Sequence, residues 1–176
     1  MEQVILVDEN DNPIGTMEKM DAHRKGLLHR AFSLLVFNSR GQILLQKRSW
    51  KKYHSGGLWT NTCCSHPQPD ENIESAIRRK LKQEMGIDAV PQFSHKFIYK
   101  VNLENNLTEH EYDHVYVARY DGEPQINHDE VDEWCFEDLS HLRDAIKKNP
   151  QDYTYWFKLI LGHSELSKSY FVHPTS

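Results

Sequence analysis

Apolar residues along this chain fall into short blocks of two kinds, which differ in their period. Blocks that are continuous, or that alternate with polar residues, predict strands at 3–7, 31–38, 42–48, 95–101, 111–120 and 131–137. Blocks with helical spacing predict helices at 71–85, 138–149 and 152–166. The sequence between them predicts a turn at 8–15, a hairpin turn at 39–41 and a polar loop at 49–57. Strands mixed with helices in this way predict one domain, residues 1–176, of the α/β class (α+β type) with a mixed β-sheet.

Composition and charge narrow the class of protein. The chain has 176 residues, 38 % hydrophobic and 27 % charged, with a formal net charge of −5. It contains no basic run that predicts nucleic-acid or membrane-surface binding, and no apolar run near the roughly 18 residues of a membrane span. The N-terminus is acidic rather than signal-like. We therefore expect a cytoplasmic protein with a small-molecule partner, as a monomer or weak homodimer.

The predicted helix at 71–85 carries one charged residue within its apolar stripe. The stripe advances in steps of four residues from Ile73 to Met85, and Glu84 falls inside it. A half-buried carboxylate at a helix C-terminus is destabilised by burial and by the helix dipole. We expect a cation beside Glu84; the alternative is a frayed helix end at which Glu84 points to water. Gly86 then closes the helix as its C-cap.

Residue types that bind metals are enriched but dispersed. Histidine occurs 11 times. Glu109 and Glu111 lie two apart in a strand-like stretch, so both carboxylates face the same side. Three imidazoles and two carboxylates could close a shell around Mn²⁺ or Zn²⁺; the candidates are His23, His29, His66, Glu109 and Glu111. Any one histidine taken alone is more often a surface residue, and spacing cannot bring together ligands this far apart.

Three further groups of side chains suggest chemistry. Cys64, near His66, is expected to have a lowered pKa, the alternative being a buried structural thiol, which its neighbour Cys63 fits. Three cysteines form neither a disulfide framework nor a zinc-finger spacing.

A diphosphate needs converging cations. The candidates are Lys19, Arg48, Lys52, Arg79 and Lys80. Each of them could instead be a solvated surface charge. An aromatic face can stabilise a carbocation; the candidates are Tyr99, Trp59 and Trp156, of which Trp59 fits core packing.

Residues 65–87 resemble the Nudix box, a signature of diphosphate-handling enzymes. The pattern is a glycine, five residues, a glutamate, seven residues, Arg-Glu, an aliphatic residue, any residue, Glu-Glu, any residue, glycine and an aliphatic residue. The positions in register are Glu71, Arg79, Leu81, Glu84, Gly86 and Ile87. Ser65 stands where the glycine belongs, and Lys80 and Gln83 replace two glutamates. A hydrolase needs those carboxylates to hold Mg²⁺ and activate water. We therefore predict that the chain binds a diphosphate without cutting it.

Motifs along nearly the whole chain, from Leu6 to about Trp156, are similar to type 1 isopentenyl-diphosphate Δ-isomerase. Their order is H-x5-H-x-A-F-S from His23, W-T-N-x-C-x-S-H-P from Trp59, the altered Nudix box, and T-E-H-E from Thr108. The most specific stretch is LWTNTCCSHP, residues 58–67. The resemblance implies a Nudix-like α/β/α layered sandwich with a mixed β-sheet. It also implies interconversion of isopentenyl diphosphate and dimethylallyl diphosphate through a tertiary carbocation.

The same resemblance implies roles for individual residues. One Mn²⁺ or Zn²⁺ would be held by His23, His29, His66, Glu109 and Glu111. Glu84 would help to hold a Mg²⁺ that neutralises the diphosphate. Cations for the remaining phosphate charge would be Lys19, Arg48, Lys52 and Lys80. Cys64 and Glu111 would lie on opposite faces of the isoprenyl carbons. Tyr99 would lie near Glu111, the acid, and Trp156 would cover the carbocation.

Two other functions compete with isomerisation. A Nudix pyrophosphohydrolase acting on a nucleoside diphosphate derivative predicts an intact Glu-Glu pair after Arg79, which Lys80 and Gln83 oppose. A non-catalytic, metal-dependent nucleotide-binding module would not need Cys64, Glu111 and Tyr99 together.

Overall fold

The computed structural model describes residues 1–163 and Leu166. Its strands within this part of the chain are β1 (Gln3–Val7), β2 (Pro13–Glu18), β3 (His29–Phe37), β4 (Ile43–Arg48), β5 (Trp59–Thr60), β6 (Cys63–Ser65), β7 (Gln92–Asn102), β8 (Thr108–Arg119) and β9 (Val131–Glu137). The α-helices are α1 (Lys19–Lys25), α2 (Ile73–Met85), α3 (Leu139–Lys148) and α4 (Tyr155–Leu161). Two short 3-10 helices are formed by Glu104–Asn106 and Pro150–Asp152. No helix of these residues is long and apolar enough to cross a bilayer.

The sheet is mixed, as predicted. β3 pairs in parallel with β8, from His29 opposite Glu111 to Phe37 opposite Arg119. β7 pairs antiparallel with β8, and β1 joins β2 to β3. On the other side β4 pairs antiparallel with β9 and β5. Because parallel strands begin at the same edge of a sheet, the first residues of β3 and β8 lie side by side.

Helices cover both faces of the sheet, which confirms the layered α/β/α prediction. Alternate residues of β3 point to opposite faces. Phe32, Leu34 and Val36 are buried in one apolar core with residues of α2. Leu35 and Phe37 are buried in a second core with residues of α3 and α4. The cysteine pair divides in the same way, since Cys63 lies in the α2 core and Cys64 packs against the other one.

The hairpin predicted around 39–41 is only partly correct. The turn exists, since the Gly41 N–H donates to the Asn38 carbonyl at 3.0 Å. The two flanking strands, however, pair only at Phe37 and Ile43. β3 is buried along nearly its whole length and has β8 as its main partner, whereas β4 separates from it and pairs with β9. Burial on both faces therefore makes β3 an interior strand of the sheet.

The N-terminal segment contains more structure than the turn predicted at 8–15. Asp8 closes the turn early, its Oδ1 accepting from the N–H of Asn12 at 2.9 Å, and β2 begins at Pro13. Helix α1, which the sequence did not predict, follows directly. Glu18 caps its first turn through the Asp21 N–H, and Gly26 ends it in the left-handed region at φ 65°. This helix carries His23 into the protein interior.

The predicted helices have the expected positions with shorter bounds. α2 begins at Ile73 because Asn72 is its N-cap, the Asn72 Oδ1 accepting from the Ser75 N–H. Gly86 ends it at φ 68°, as expected. α3 is two residues shorter than predicted, and α4 begins at Tyr155. Part of the predicted extension of α4 to 166 lies outside the described residues.

The cation expected beside Glu84 is present. Glu84 is buried, with 3 % of its surface exposed. The Lys80 Nζ lies 3.5 Å from Glu84 Oε2, and Gln46 Nε2 donates to Oε1 at 3.1 Å. The frayed helix end that would expose Glu84 is therefore excluded.

Candidate active site

Three histidines far apart in sequence meet at the edge of the sheet where β3 and β8 begin. His23 comes from α1, His29 is the first residue of β3, and His66 follows β6 directly. All three are buried. Their ring centroids lie 5.0 Å apart for His23 and His29, 5.0 Å for His29 and His66, and 5.7 Å for His23 and His66. The fold thus assembles the set that sequence spacing alone could not.

Backbone carbonyls fix the orientation of two of these rings. His23 Nδ1 donates to the Lys19 carbonyl at 2.7 Å, and His29 Nδ1 donates to the Leu27 carbonyl at 2.9 Å. With Nδ1 engaged by a carbonyl, Nε2 faces the carboxylates and is the nitrogen available to a cation. This arrangement of the outer nitrogen is typical of histidines that bind metals.

Two carboxylates complete the cluster. Glu109 and Glu111 lie on the same face of β8 and are both buried. Glu111 Oε2 lies 2.8 Å from His66 Nε2 and 3.2 Å from His29 Nε2. Glu109 Oε1 lies 2.9 Å from His23 Nε2. Glu109 Oε2 is buried with no hydrogen-bond partner among the described residues.

The cluster fits a divalent cation. Ligand atoms of His23, His29, His66 and Glu111 all lie within 4.8 Å of one another. A buried, unpartnered carboxylate oxygen is costly unless something positive binds it, and here that oxygen belongs to Glu109. Imidazole nitrogens together with carboxylate oxygens suit Mn²⁺ or Zn²⁺.

The electrostatics of the cluster favour negative carboxylates. Burial alone would raise the pKa of Glu109, but hydrogen bonds from His23 and His54 outweigh burial and hold it well below its usual range. Burial would likewise lower the pKa of His23, yet the Glu109 carboxylate and the charge of Glu111 raise it to about 9. In the free protein the protonated His23 therefore balances part of the charge of these carboxylates.

Cys64 lines the same cavity as His66, Glu109 and Glu111 of this cluster. Its Sγ donates to Asn61 Oδ1 at 3.1 Å and accepts from the Trp156 Nε1–H at 3.1 Å. Burial raises the pKa of the thiol to about 12, although the Trp156 hydrogen bond and the charge of Arg48 lower it in part. The lowered pKa expected from the sequence is therefore wrong for the free protein, because burial outweighs the nearby cation.

Tyr99 joins the cluster through a hydrogen bond to Glu111. Its hydroxyl donates to Glu111 Oε1 at 2.6 Å. Burial and the charge of Glu111 raise its pKa well above the ordinary value. Tyr99 therefore keeps its proton and directs it at the carboxylate.

One cavity, with about 570 Å³ of empty space including its mouth, connects these groups. Cys64, Glu111, Tyr99 and Trp156 line it, together with the cations Lys19, Arg48, Lys52 and Lys80. Arg79 is not part of the lining and instead pairs with Glu71 through two hydrogen bonds. Glu84 is not in the lining either; it lies beside Lys80, which is.

The cationic side chains are held by acids before any ligand binds. Lys19 pairs with Glu2 and Lys52 with Glu130, and both acids line the same cavity. Arg48 is buried, donates through Nη2 to the His54 carbonyl at 3.1 Å, and has no partner at Nε among the described residues. Its guanidinium lies 5.3 Å from the ring of Trp156.

Comparison with known proteins decides the family. The family model of the NUDIX domain matches residues 27–158. Isopentenyl-diphosphate Delta-isomerase 2 of Photorhabdus laumondii is 52 % identical over 161 residues, which are 92 % of this chain and 91 % of that protein. Isopentenyl-diphosphate Delta-isomerase 2 of Aromatoleum aromaticum is 48 % identical over 160 residues, 91 % of this chain and 85 % of that protein. The chain belongs to the isopentenyl-diphosphate Delta-isomerase family of NUDIX-domain proteins.

Solved structures with low sequence identity share the fold of this isomerase-family chain. A protein of Deinococcus radiodurans superposes with a TM-score of 0.71 at 22 % identity, covering 84 % of this chain and 90 % of that one. A MutT NUDIX hydrolase of Burkholderia pseudomallei gives 0.62 at 22 % identity, covering 78 % and 98 %. These likenesses confirm the Nudix fold predicted from the sequence.

Two buried residues at the site of this isomerase-family chain, His54 and Asp113, were not predicted from the sequence. His54 is buried against Glu109 and also lies 5.9 Å, ring to ring, from His23. Asp113 is buried next along the face of β8 and accepts from Ser33 Oγ at 2.7 Å. Burial and the Glu111 charge raise the pKa of Asp113 well above its ordinary value. The alternation from Glu109 through Glu111 would have reached Asp113, whereas His54 lies in a loop without any period.

Proposed function

We propose that this chain is a single-domain enzyme that interconverts isopentenyl diphosphate and dimethylallyl diphosphate. One observation carries the proposal: a thiol and a hydrogen-bonded carboxylate line the same buried cavity, next to four cationic side chains. Membership of the isomerase family supports it. The proposed partner is this small molecule, and a cytoplasmic monomer or weak homodimer is part of the same proposal.

A divalent cation, Mn²⁺ or Zn²⁺, is proposed for the histidine cluster. The residues that would hold it are His23, His29, His66, Glu109 and Glu111. Bound there, a cation would withdraw electron density from the Glu111 carboxyl group and make it a stronger acid.

The cationic side of the cavity is proposed to anchor the diphosphate. Arg48 offers a buried Nε–H without a partner, and Lys80 offers an ammonium group in the cavity lining. Lys19 and Lys52 would exchange their carboxylate partners for phosphate oxygens. The diphosphate is proposed to arrive with Mg²⁺, for which Glu84 stays the predicted protein ligand.

Isomerisation requires one proton to be added at the terminal carbon and another to be removed two carbons away. The alkene is a very weak base, so its donor must be a positioned acid in a site without water. Glu111 is the proposed donor, and the Tyr99 hydroxyl is placed to return a proton to its Oε1. Cys64 Sγ is the proposed acceptor, so that the proton taken from the substrate ends on sulfur.

In the free protein the pKa values favour the opposite distribution, because burial raises the pKa of the Cys64 thiol to about 12, whereas hydrogen bonds from His29 and His66 outweigh burial and lower the pKa of Glu111. Once deprotonated, however, the thiol is the stronger base of the two. The reactive distribution has the proton on Glu111 and the negative charge on sulfur. Arg48 and the Trp156 N–H both lower the pKa of the Cys64 thiol, so they stabilise that distribution.

Trp156 has a second proposed role as cover for the carbocation. It is buried, lines the cavity and contacts Cys64. The face of an indole ring attracts a cation, most strongly where water is excluded. No covalent bond between protein and substrate is required.

Hydrolysis of the diphosphate is opposed by the charge of the altered Nudix box. Lys80 and Gln83 occupy positions where a hydrolase has glutamates, which leaves fewer carboxylates to hold Mg²⁺ and activate water. A non-catalytic binding module would not need the Tyr99–Glu111 and Trp156–Cys64 hydrogen bonds, whose residues line one cavity.

Product analysis by NMR separates the three functions. The protein is incubated with isopentenyl diphosphate, Mg²⁺ and Mn²⁺, and proton and phosphorus spectra are followed. Two new allylic methyl signals with an intact diphosphate are expected. Release of phosphate would support a hydrolase, and unchanged spectra would support a binding module.

Lys80→Met tests the proposed diphosphate contact. Loss of a charge-assisted hydrogen bond to phosphate is expected to raise KM about ten- to a hundredfold, with a smaller change in kcat. Lys82→Met, four residues before the C-cap on the exposed side of α2, is the matched control and should leave KM unchanged. The double variant Lys80→Met/Glu84→Gln keeps the buried site neutral and separates phosphate binding from stability. Equal KM values for Lys80→Met and Lys82→Met would contradict the contact.

Trp156→Phe tests the hydrogen bond to sulfur. It keeps an aromatic face but removes the N–H that lowers the pKa of the Cys64 thiol. We expect kcat to fall about tenfold or more, the effect of one hydrogen bond of about 1.4 kcal/mol. Steady-state kinetics of Trp59→Phe provide the comparison, because Trp59 packs on the same core outside the cavity lining. Equal losses in the two variants would mean that Trp156 acts only by packing.

A further inference from the structure

His54 is buried at the metal cluster but belongs to none of the motifs that define the site. Only 3 % of its surface is exposed. Its Nε2 makes a short hydrogen bond to Glu109 Oε1. Its Nδ1 lies 3.0 Å from Ser55 Oγ. Both ring nitrogens are therefore engaged, one of them by a carboxylate assigned to the cation.

The two contacts define one tautomer. A carboxylate oxygen accepts hydrogen bonds, so His54 Nε2–H donates to Glu109 Oε1. In the same tautomer Nδ1 accepts from the Ser55 hydroxyl.

The loop around His54 is anchored on several sides. Ser55 has a positive φ of 55°, and its N–H donates to the Glu104 carboxylate. The ring of Tyr53 lies 4.4 Å from that of His54, in an edge-to-face arrangement. Arg48 donates to the His54 carbonyl at 3.1 Å. The imidazole is thus held in place from its backbone, its ring face and its outer nitrogen.

The two carboxylate oxygens of Glu109 differ in their contacts. Oε1 accepts from His54 and also lies 2.9 Å from His23 Nε2, whereas Oε2 is buried and has no hydrogen-bond partner among the described residues. A carboxylate fixed through one oxygen keeps the other one in a constant direction. Partners of this kind raise metal affinity by orienting the ligand, and their loss typically weakens affinity about 10- to 100-fold.

We propose that His54 is a positioning residue that holds Glu109 through Oε1 and so directs Oε2 at the divalent cation. The inference rests on the proposed metal centre and adds a residue to it. Direct coordination by His54 is the competing role. His54 groups only with His23 and Glu109, and not with the set formed by His23, His29, His66 and Glu111.

The test compares two replacements of His54 in the full-length protein by their affinity for Mn²⁺. Free Mn²⁺ is measured by electron paramagnetic resonance during titration. His54→Leu removes the donor and is expected to raise Kd about 10- to 100-fold. His54→Gln keeps an N–H that can reach Glu109 and is expected to stay within about threefold of the original protein, since one retained hydrogen bond accounts for about 1 kcal/mol. His128→Leu, at an exposed histidine outside the clusters of possible metal ligands, should leave Kd unchanged.

Two further measurements test the role of His54 without depending on whether His54→Leu folds. Ser55→Gly removes the hydroxyl behind Nδ1 at a backbone position that suits glycine, and should weaken Mn²⁺ binding several-fold even if His54→Leu does not fold. X-ray absorption of the Zn²⁺-loaded protein should give three imidazole ligands in both the original protein and His54→Gln. A drop from four to three would make His54 a ligand and overturn the positioning role.

The two proposals fail in different ways. If the original protein binds no Mn²⁺ or Zn²⁺, the metal centre and the role of His54 both fall. If the original protein binds Mn²⁺ and both His54→Leu and Ser55→Gly bind it equally well, only the role of His54 falls.

Discussion

Cys64→Ala and Glu111→Gln are each expected to lower kcat by at least about a thousandfold while substrate binding survives. Sγ and the Glu111 carboxylate are the groups proposed to move protons at the substrate carbons, and neither replacement can do so. The diphosphate contacts are made by other side chains, so the substrate Kd should change little. Steady-state turnover and calorimetric binding of isopentenyl diphosphate measure the two effects separately.

The adjacent cysteine gives a matched control for this prediction. Cys63 is fully buried on the opposite face of the sheet, against α2. Cys63→Ala should lower the free energy of unfolding by about 1 kcal/mol or somewhat more and leave kcat close to that of the original protein. Full activity of Cys64→Ala would contradict the proposed proton transfer, and so would an equal loss in Cys63→Ala.

His66→Ala is expected to have the second largest effect, through the loss of the cation. His66 Nε2 lies 2.8 Å from Glu111 Oε2, at the centre of the donor set. Removal of a direct ligand should weaken Mn²⁺ or Zn²⁺ binding by at least about a hundredfold, the upper end of the range for outer contacts. Turnover should fall with it, because Glu111 loses both an imidazole partner and its proposed cation.

Metal content and metal titration check the prediction for His66. Elemental analysis of the purified variant should show less than one equivalent of bound metal, and added Mn²⁺ at high concentration should restore part of the activity. His128→Ala, an exposed histidine, is the control. Unchanged metal content in His66→Ala would contradict the proposed site.

The main strands and helices could be predicted because the buried faces of these elements give characteristic patterns of apolar residues in the sequence. The continuous apolar run of β3 marks a strand buried on both faces, and the stripe of α2 marks one buried face. β2 was missed because it is a largely exposed edge strand; Ile14 alone is 67 % exposed. α1 has only seven residues and is too short to show a stripe. Partner strands far apart in sequence, such as β3 and β8, also leave no local signal.

The site was predictable in its residue types but not in its assembly. His23, His29 and His66 come from three separate elements, so only the resemblance to a family could join them. The pKa of Cys64 was predicted in the wrong direction because sequence neighbours do not report depth of burial. His54 was missed because its ring nitrogens contact Glu109, 55 residues away in sequence, and the adjacent Ser55, and neither contact follows a periodic pattern.

Isotope incorporation tests the two-group proton transfer most directly. Isopentenyl diphosphate is incubated with the Mn²⁺- and Mg²⁺-loaded protein in D₂O, and the first product formed is analysed by proton and deuterium NMR. Addition of a proton by one protein group and removal by another predicts dimethylallyl diphosphate with one deuterium in a methyl group and an intact diphosphate. A product without deuterium would mean that hydrogen moved within the substrate, and it would contradict the roles proposed for Glu111 and Cys64.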